Sequence, residues 1–422
     1  MSLTKVSYAM INGENANVLD FAADPTGVAN SSAAFDAAAA TSTVVIIPDG
    51  GTYKLDTDVT SASLFINYGS IFSNKVPPVM LDFSTVGELR FDGDMIVDSI
   101  NGGPLAGTKN PIINGAFDIW QLGTSFTFGP SLQKNADRWN FDFNGTIGTG
   151  LIQRLQVPSS EYTADFHPIY AANPKITVAG SANTFIDLST QIENARIFSG
   201  KQVTISFFAK SLSGSSQAIT AIKTEQFFGS GGSPSAPAFT TSAAITIGTT
   251  WQRYSVTETL ASVTGKTFGT NGDSTLNVII TLPLNVTFDL AFTMVQIELG
   301  PVATPFEYKP VADTMEECQR YLQSSYDDSV APGTVTSTGA IVFTQPNATT
   351  VTTIQLKTPM RTPPALAVYN PVTGASGTWN NGGNARTAAL DQSGMKNVSV
   401  QTTGGSDGTF INGHYILQDP LL

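Results

Sequence analysis

Apolar and polar positions alternate with a period of two over much of this chain. Val203-Thr-Ile-Ser-Phe-Phe-Ala209 and Phe288-Asp-Leu-Ala-Phe-Thr-Met-Val-Gln-Ile297 are the clearest cases. Alternation of this kind predicts strands with one buried and one wet face. Further strands are predicted at Leu151–Val157, Lys175–Val178, Phe185–Gln191, Ala218–Thr224, Ala243–Thr246, Trp251–Leu260 and Leu276–Leu282, separated by Gly, Pro and Asn turns. So many short, turn-punctuated strands predict a two-sheet jelly roll. The stretch Asn110–Phe126 reads as the strand that opens this sandwich, and Asn101-Gly-Gly-Pro104 as the joint before it. Asp313–Tyr326 has the one strong helical pattern of the second half. Asp313 with Glu316 suggests a capping-box start, and Met315, Cys318 and Leu322 share a face. Gly333–Thr344, Val351–Lys357, Ala365–Tyr369, Val398–Thr403 and Thr409–Leu417 then predict a small β-domain.

Composition narrows the function. Charged residues make up 13% of the 422, too few for the surfaces of an all-helical protein. The net charge of −12 and the absence of a basic stripe argue against nucleic acid, whose binding rests on Lys and Arg neutralising phosphates. A single cysteine, Cys318, excludes an intrachain disulfide, and His167 and His414 lie too far apart in sequence to suggest a zinc site or catalytic triad. No apolar run has the length of a membrane span, and Met1–Asn12 does not read as a signal peptide, so the expectation is a soluble chain made in a cytoplasm.

Near the N-terminus, Val18–Gly27 reads as a strand reaching a Pro/Gly turn and leads to an Ala-rich helix at Ser31–Ala40, then to a short strand at Val44-Val-Ile-Ile-Pro48 and to Gly50-Gly-Thr-Tyr53. Asn17, Val18, Asp20, Phe21, Gly27, Ala34, Phe35, Ile47, Pro48, Gly50 and Tyr53 resemble the opening motif of pectate-lyase-like right-handed β-helices in bacteriophage tailspikes. Asn30 and Ser31 stand where that motif usually has two aspartates. Ser7–Gly13 is similar to the virion-proximal segment that precedes it. From Thr41 to about Ile100 there is room for only two or three rungs at roughly 20–25 residues each. A tailspike depolymerase needs a longer groove with paired carboxylates. Asp82, Glu88, Asp92, Asp94 and Asp98 are therefore read as ordinary loop acids.

A second resemblance covers most of 110–310. Asn114–Gln121, Ala136–Trp139, Gly200–Lys210, Trp251–Tyr254 and Val295–Glu307 resemble the carbohydrate-binding-module-like jelly roll of phage tail fibres. Cys318-Gln-Arg-Tyr-Leu322 and the final Ile411–Leu422 are similar to segments that follow it in such fibres. The resemblances imply a mainly β chain organised in five parts. These are a virion-anchoring segment (1–15), a truncated β-helix-like attachment domain (16–100), the jelly roll (110–310), a helix (311–330) and a C-terminal β cap (331–422). They imply a homotrimeric tail fibre or tailspike-like receptor-binding protein, located in the virion after synthesis in the host bacterial cytoplasm. It would dock on phage tail adaptor or nozzle proteins and bind host surface polysaccharide or lipopolysaccharide, without enzymatic activity. The alternatives are a polysaccharide depolymerase and a purely structural fibre or adaptor.

Trp120, Trp139 and Trp251 are expected in the core, as large aromatics in sandwiches usually are. Glycan candidates are sought on loops, where an aromatic ring can stack on a sugar. They are Tyr162, Phe166, His167 and Tyr170 in the Val157–Tyr170 segment, and Trp379 at a Gly- and Asn-rich tip. Phe227 and Phe228, before a Gly229–Pro237 loop expected to be mobile, are a weaker choice. Cys318 and His414 are expected to be structural. No cofactor is expected, although Asn114, Asp118 and Glu298 offer hard oxygen atoms suited to Ca²⁺, as in related sugar-binding jelly rolls.

Overall fold

The computed structural model describes residues 16–42, 44–48, 52–55, 109–128, 133–345, 349–404 and 409–419, with short strands at 59–60, 64–67, 70–72 and 81–82. The anchoring segment 1–15 and the acids Glu88, Asp92, Asp94 and Asp98 lie outside the described residues, and Asp82 is described at the backbone alone. The chain divides into two compact units, Met1–Val97 and Asp98–Leu422.

The first unit is a short parallel solenoid. Ala16–Asn17, Val44–Ile47 and Leu64–Asn67 pair in parallel, as do Thr26–Asn30, Thr52–Lys54 and Ser70–Phe72, and Val59–Thr60 with Leu81–Asp82. Val44 stands opposite Leu64 and Val59 opposite Leu81, a rung of about 20 residues. The helix Ser32–Thr41 buries Ala34, Phe35 and Ala38 with Val18, Val45, Ile47 and Tyr53. The segment predicted as a strand from Val18 is instead a 3₁₀ turn, Val18–Phe21, because the Asn17 side chain accepts the Leu19 N–H and caps it.

The second unit opens with the jelly roll. Its strands are β1 (Ser125–Thr127), β2 (Gln133–Lys134), β3 (Trp139–Phe143), β4 (Thr149–Gln156), β5 (Tyr170–Val178) and β6 (Ile186–Glu193). They continue as β7 (Gln202–Ser211), β8 (Ala221–Phe227), β9 (Ala238–Thr241), β10 (Gln252–Thr259), β11 (Thr275–Thr281) and β12 (Phe288–Leu299). One antiparallel sheet runs β2-β3-β6-β11-β8-β9 and the other β10-β7-β12-β5-β4-β1. Between them lie Trp139, Phe141, Leu188, Ile205, Phe207, Ile222, Val278, Ile280, Phe292 and Ile297 among others. The mainly β, jelly-roll fold agrees with the alternation in the sequence.

Asn110–Phe126 differs from its expectation. It is a plug of turns, and the first strand begins only at Ser125. Asn114 and Phe117 hold positive φ, and a β-carbon on Gly115 would run into the Val295 carbonyl, so this backbone cannot pair as a strand. Polar capture replaces the ladder. Asn114 Nδ2 donates to the Ile119 and Asp137 carbonyls, its Oδ1 accepts the Ile119 N–H, and Trp139 Nε1 donates to the Asn114 carbonyl. Ile112, Phe117 and Trp120 drop into the sandwich core.

The helix covers Val311–Gln319 only. Pro310 stands at its N-cap in place of Asp313, and Leu322–Ser324 is a strand. That strand is recruited by the long Thr409–Gln418 strand, which also pairs with Ile341–Gln345, Ala365–Tyr369 and Thr378–Asn381. The eight-stranded C-terminal sheet continues through Asn384–Ser393, Asn397–Thr403 and Thr349–Gln355. It is tied to the jelly roll by Arg320 on Glu193 (2.9 Å), Gln121 Nε2 on the Leu322 carbonyl (3.0 Å) and Ser329 N on the Trp120 carbonyl (2.9 Å). Among the described residues no helix is long and apolar enough to cross a membrane.

Candidate functional site: the open face of one sheet

In β6 the even positions Ile186, Leu188, Thr190 and Ile192 point inward and the odd positions face out. The same alternation puts Leu276, Val278 and Ile280 of β11 inside and Thr275, Asn277, Ile279 and Thr281 outside. Strand register then assembles the outward residues into rows. Asp142, Asp187, Thr281 and Ala221 form one. Asn140, Ser189, Ile279, Lys223 and Thr241 form the next, and Gln191, Asn277, Glu225 and Phe239 the third. All of these but the buried Thr281 and Ala221 floor a groove of about 690 Å³, with Phe185 at one end and Phe239, 60% exposed, on the edge strand. From β3 to β9 the floor crosses five strands, about 19 Å at the usual inter-strand spacing.

The floor carries unused hydrogen-bonding capacity. One carboxylate oxygen of Asp187 and Oδ1 of Asn277, both lining the groove, are buried without a partner among the described residues. Asn277 Nδ2 donates to Glu225 (2.8 Å), which fixes the amide and leaves its oxygen free. Burial pushes the Asp187 carboxyl above its ordinary value; a hydrogen bond from Thr281 and the charge of Lys223 oppose this, and neighbouring Asp142 and Glu225 add to it. Buried polar atoms are ordinarily paired, so two unpaired ones on one floor are the pattern of a surface that a polar ligand completes.

The aromatic candidates from the sequence do not line this groove. Val157–Tyr170 joins β4 to β5, in the opposite sheet. Phe166 is buried against Phe208 and Trp251, at 4.8 and 5.0 Å between ring centroids, and is unavailable for stacking. Tyr162 is exposed beside a single turn, Ser159–Glu161. His167 is exposed but stacked on Tyr308 (4.6 Å), and Tyr170 lies half-buried with the Arg154 guanidinium 4.3 Å from its ring centre. Trp379 is fully buried in the C-terminal sheet, Nε1 donating to the His414 carbonyl (2.9 Å), so it is not an exposed tip. Its neighbouring Gly and Asn residues form a hairpin between two strands that the sequence did not predict. Phe228 is likewise buried, edge-on to Phe268. The loop after it is pinned, Ser230 N and Oγ both donating to Asp273. Trp120 and Trp139 are core residues as expected, whereas Trp251 is only half-buried and donates to Glu161 (2.5 Å).

The calcium candidates do not converge either. Both oxygens of Glu298 accept from Thr304, one also from Gln296, and Asn114 Oδ1 is taken by Ile119. Asp118 alone keeps an unpartnered oxygen. Among the described residues no cluster of three or more His, Cys, Asp or Glu is placed to hold a metal ion. Cys318 is buried, and burial raises its thiol pKa well above the usual range, which leaves it a protonated packing residue.

No protein-family model and no curated protein matches the chain. Solved structures similar to it are carbohydrate-binding modules and a phage tailspike domain. A family 4 carbohydrate-binding module is 18% identical, covering 44% of this chain and 98% of its own, with a TM-score of 0.25. The family 11 module of Clostridium thermocellum with a β-1,3-1,4-mixed-linked tetrasaccharide is 11% identical, covering 42% and 96%, TM-score 0.24. The enzymatically active domain of bacteriophage CBA120 tailspike protein 4 is 10% identical over 61% of this chain and 33% of that domain, TM-score 0.27.

Proposed function

We propose that this chain is a glycan-binding protein that seats a surface polysaccharide in the groove over β3, β6, β11, β8 and β9. The observation that carries this reading is the floor itself, with its unpartnered polar atoms between two accessible phenylalanines inside a groove of about 690 Å³. Phe185 and Phe239 supply apolar faces for sugar rings, and the floor supplies fixed polar groups for their hydroxyls. The N-terminal resemblance to tailspikes and the fibre-like motifs of the sandwich support a tail-fibre role. In it the first unit serves virion attachment, on an adaptor or nozzle protein, and the second contacts the host.

The reading includes binding without cleavage. Glycosidases place their two carboxyl groups on either side of the scissile bond. Asp142 and Asp187 stand side by side on adjacent strands of one floor, beneath any ligand lying there.

Purified full-length protein incubated with host-range bacterial polysaccharides is expected to bind and to release no new reducing ends. Combining Phe239→Ala with Asn277→Ala should weaken binding at least tenfold, about 1.4 kcal/mol, measured by affinity electrophoresis or calorimetry. Unchanged affinity in the folded double variant would place the contact surface elsewhere.

A further inference from the structure

Two aromatic residues of the Val157–Tyr170 segment, absent from the groove, join a different constellation beside the opposite sheet. The exposed His167 ring lies on Tyr308, with centroids 4.6 Å apart and planes 17° from parallel. Tyr308 is itself 43% exposed and meets Phe306 edge-on at 5.0 Å. Burial raises the Tyr308 phenol, a hydrogen bond from the His167 backbone lowers it, and Asp118 and Tyr162 raise it again, so all three residues surround one ring.

Three segments far apart in sequence are each fixed in this place. Phe166, buried against Phe208 and Trp251, anchors the loop that carries His167. Tyr308 stands between Glu307, whose carboxylate accepts the Lys109 and Asn110 N–H groups, and Lys309, which pairs with Glu317 at 2.9 Å. Its hydroxyl donates to Met294 Sδ (3.4 Å). Asp118 follows the positive-φ residue Phe117 in the plug that the Asn114 side chain holds.

The Asp118 carboxyl lines a cavity of about 20 Å³ together with Tyr308 and Phe306. One of its oxygens is buried without a partner, and among the described residues no hydrogen bond and no cation offsets the effect of burial on it. The neighbouring Glu307 and Lys309 are already committed to other groups. A buried acceptor left unmade is costly, and the cavity has room for about one hydroxyl or water. A donor of that size, presented by a ring lying on the aromatic pair, completes the arrangement.

We propose that this is a second sugar site, separate from the groove: a pyranose ring rests on the His167–Tyr308 stack and one of its hydroxyls enters the cavity to donate to Asp118. Aromatic rings offer an apolar face to the C–H side of a sugar, and a carboxylate forms the stronger, charge-assisted kind of hydrogen bond with its hydroxyl. Tyr308 follows β12 and His167 precedes β5, both strands of the sheet opposite the groove. One chain thereby presents sugar sites from both sheets. The second site does not depend on the groove being one.

The test uses full-length protein carrying Phe239→Ala and Asn277→Ala, which disables the groove. Methyl glycosides of glucose, galactose, mannose and N-acetylglucosamine are titrated in turn and followed by saturation-transfer NMR. At least one is expected to bind, with saturation strongest on the ring C–H protons of one face. Adding Asp118→Asn should raise its Kd at least fivefold, and adding His167→Ala should do the same. Asp118→Asn removes an unpaired buried charge at constant shape, so the fold is kept and a lost signal reports the contact; circular dichroism melting checks both variants. The site is overturned if no glycoside binds the groove-disabled protein, or if either folded variant binds it unchanged. Either failure leaves the groove reading standing, because that reading is tested on polysaccharides with the groove intact.

Discussion

Single residues in this molecule carry charge in places that oppose folding. Asp118 is the clearest case, because burial lifts its carboxyl to about 6 and one oxygen has no partner among the described residues. The folded chain holds a proton there that the unfolded chain, with an ordinary value of 3.8, gives up. The resulting destabilisation is absent below pH 3.8, grows as pH rises towards about 6, and is complete above that. Asp118→Asn removes the charge and keeps the shape. We expect it to raise unfolding free energy by about 1–2 kcal/mol at pH 8, with the gain disappearing near pH 4, as read from denaturant titrations at both pH values. The residue scale is also where the sequence was hardest to read. A tryptophan amid Gly and Asn looks the same whether it caps a loop or fills a core. What buries Trp379 is Gly413, more than thirty residues away in sequence, across a sheet that pattern alone does not assemble.

At the scale of elements, alternation was a reliable guide. The strands that become β4, β6, β7, β10, β11 and β12 were all visible in outline because each has one apolar and one polar face. Where the plan failed, non-local forces had taken over. Asn110–Phe126 has the composition of a strand, yet its backbone is fixed by buried side-chain hydrogen bonds and positive φ angles. The helix expected to reach Tyr326 stops at Gln319, since Leu322–Ser324 gains a ladder with Thr409–Gln418. The groove had a legible signal as well, polar residues on the wet face of neighbouring strands. Which strands are neighbours is set by the sheet order, and that is absent from any single segment. The pairing of Gly413 with the Trp379 ring gives an element-scale expectation. A side chain at 413 would overlap the indole, and the strand is held by partners on both sides. Gly413→Val should cost about 2–3 kcal/mol and lower the calorimetric melting temperature of the second unit, leaving the first unit unaffected.

For the whole molecule, the short solenoid of the first unit has a small core, built on ten buried apolar residues among the described ones. Cores of that size rarely suffice alone and are commonly completed by association. The proposed fibre role accordingly carries the expectation of a homotrimer, to be checked by analytical ultracentrifugation at micromolar concentration, where a monomer would count against it. Three copies of a shallow, solvent-accessible groove would bind a repetitive polysaccharide surface jointly. Retention on such a surface should exceed that of a single groove by 10²-fold or more.

The period-two construction of β6, β11 and β8 has an evolutionary corollary. Each strand interleaves the residues that hold the protein together with those that floor the proposed groove, one after the other along the same backbone. Positions 140, 142, 187, 189, 191, 223, 225, 277 and 239 can change without altering a single inward side chain. The proposed groove chemistry and fold stability are thereby placed on separate letters of the same words. A library randomised at those nine positions should return variants with new glycan preferences at nearly constant melting temperature.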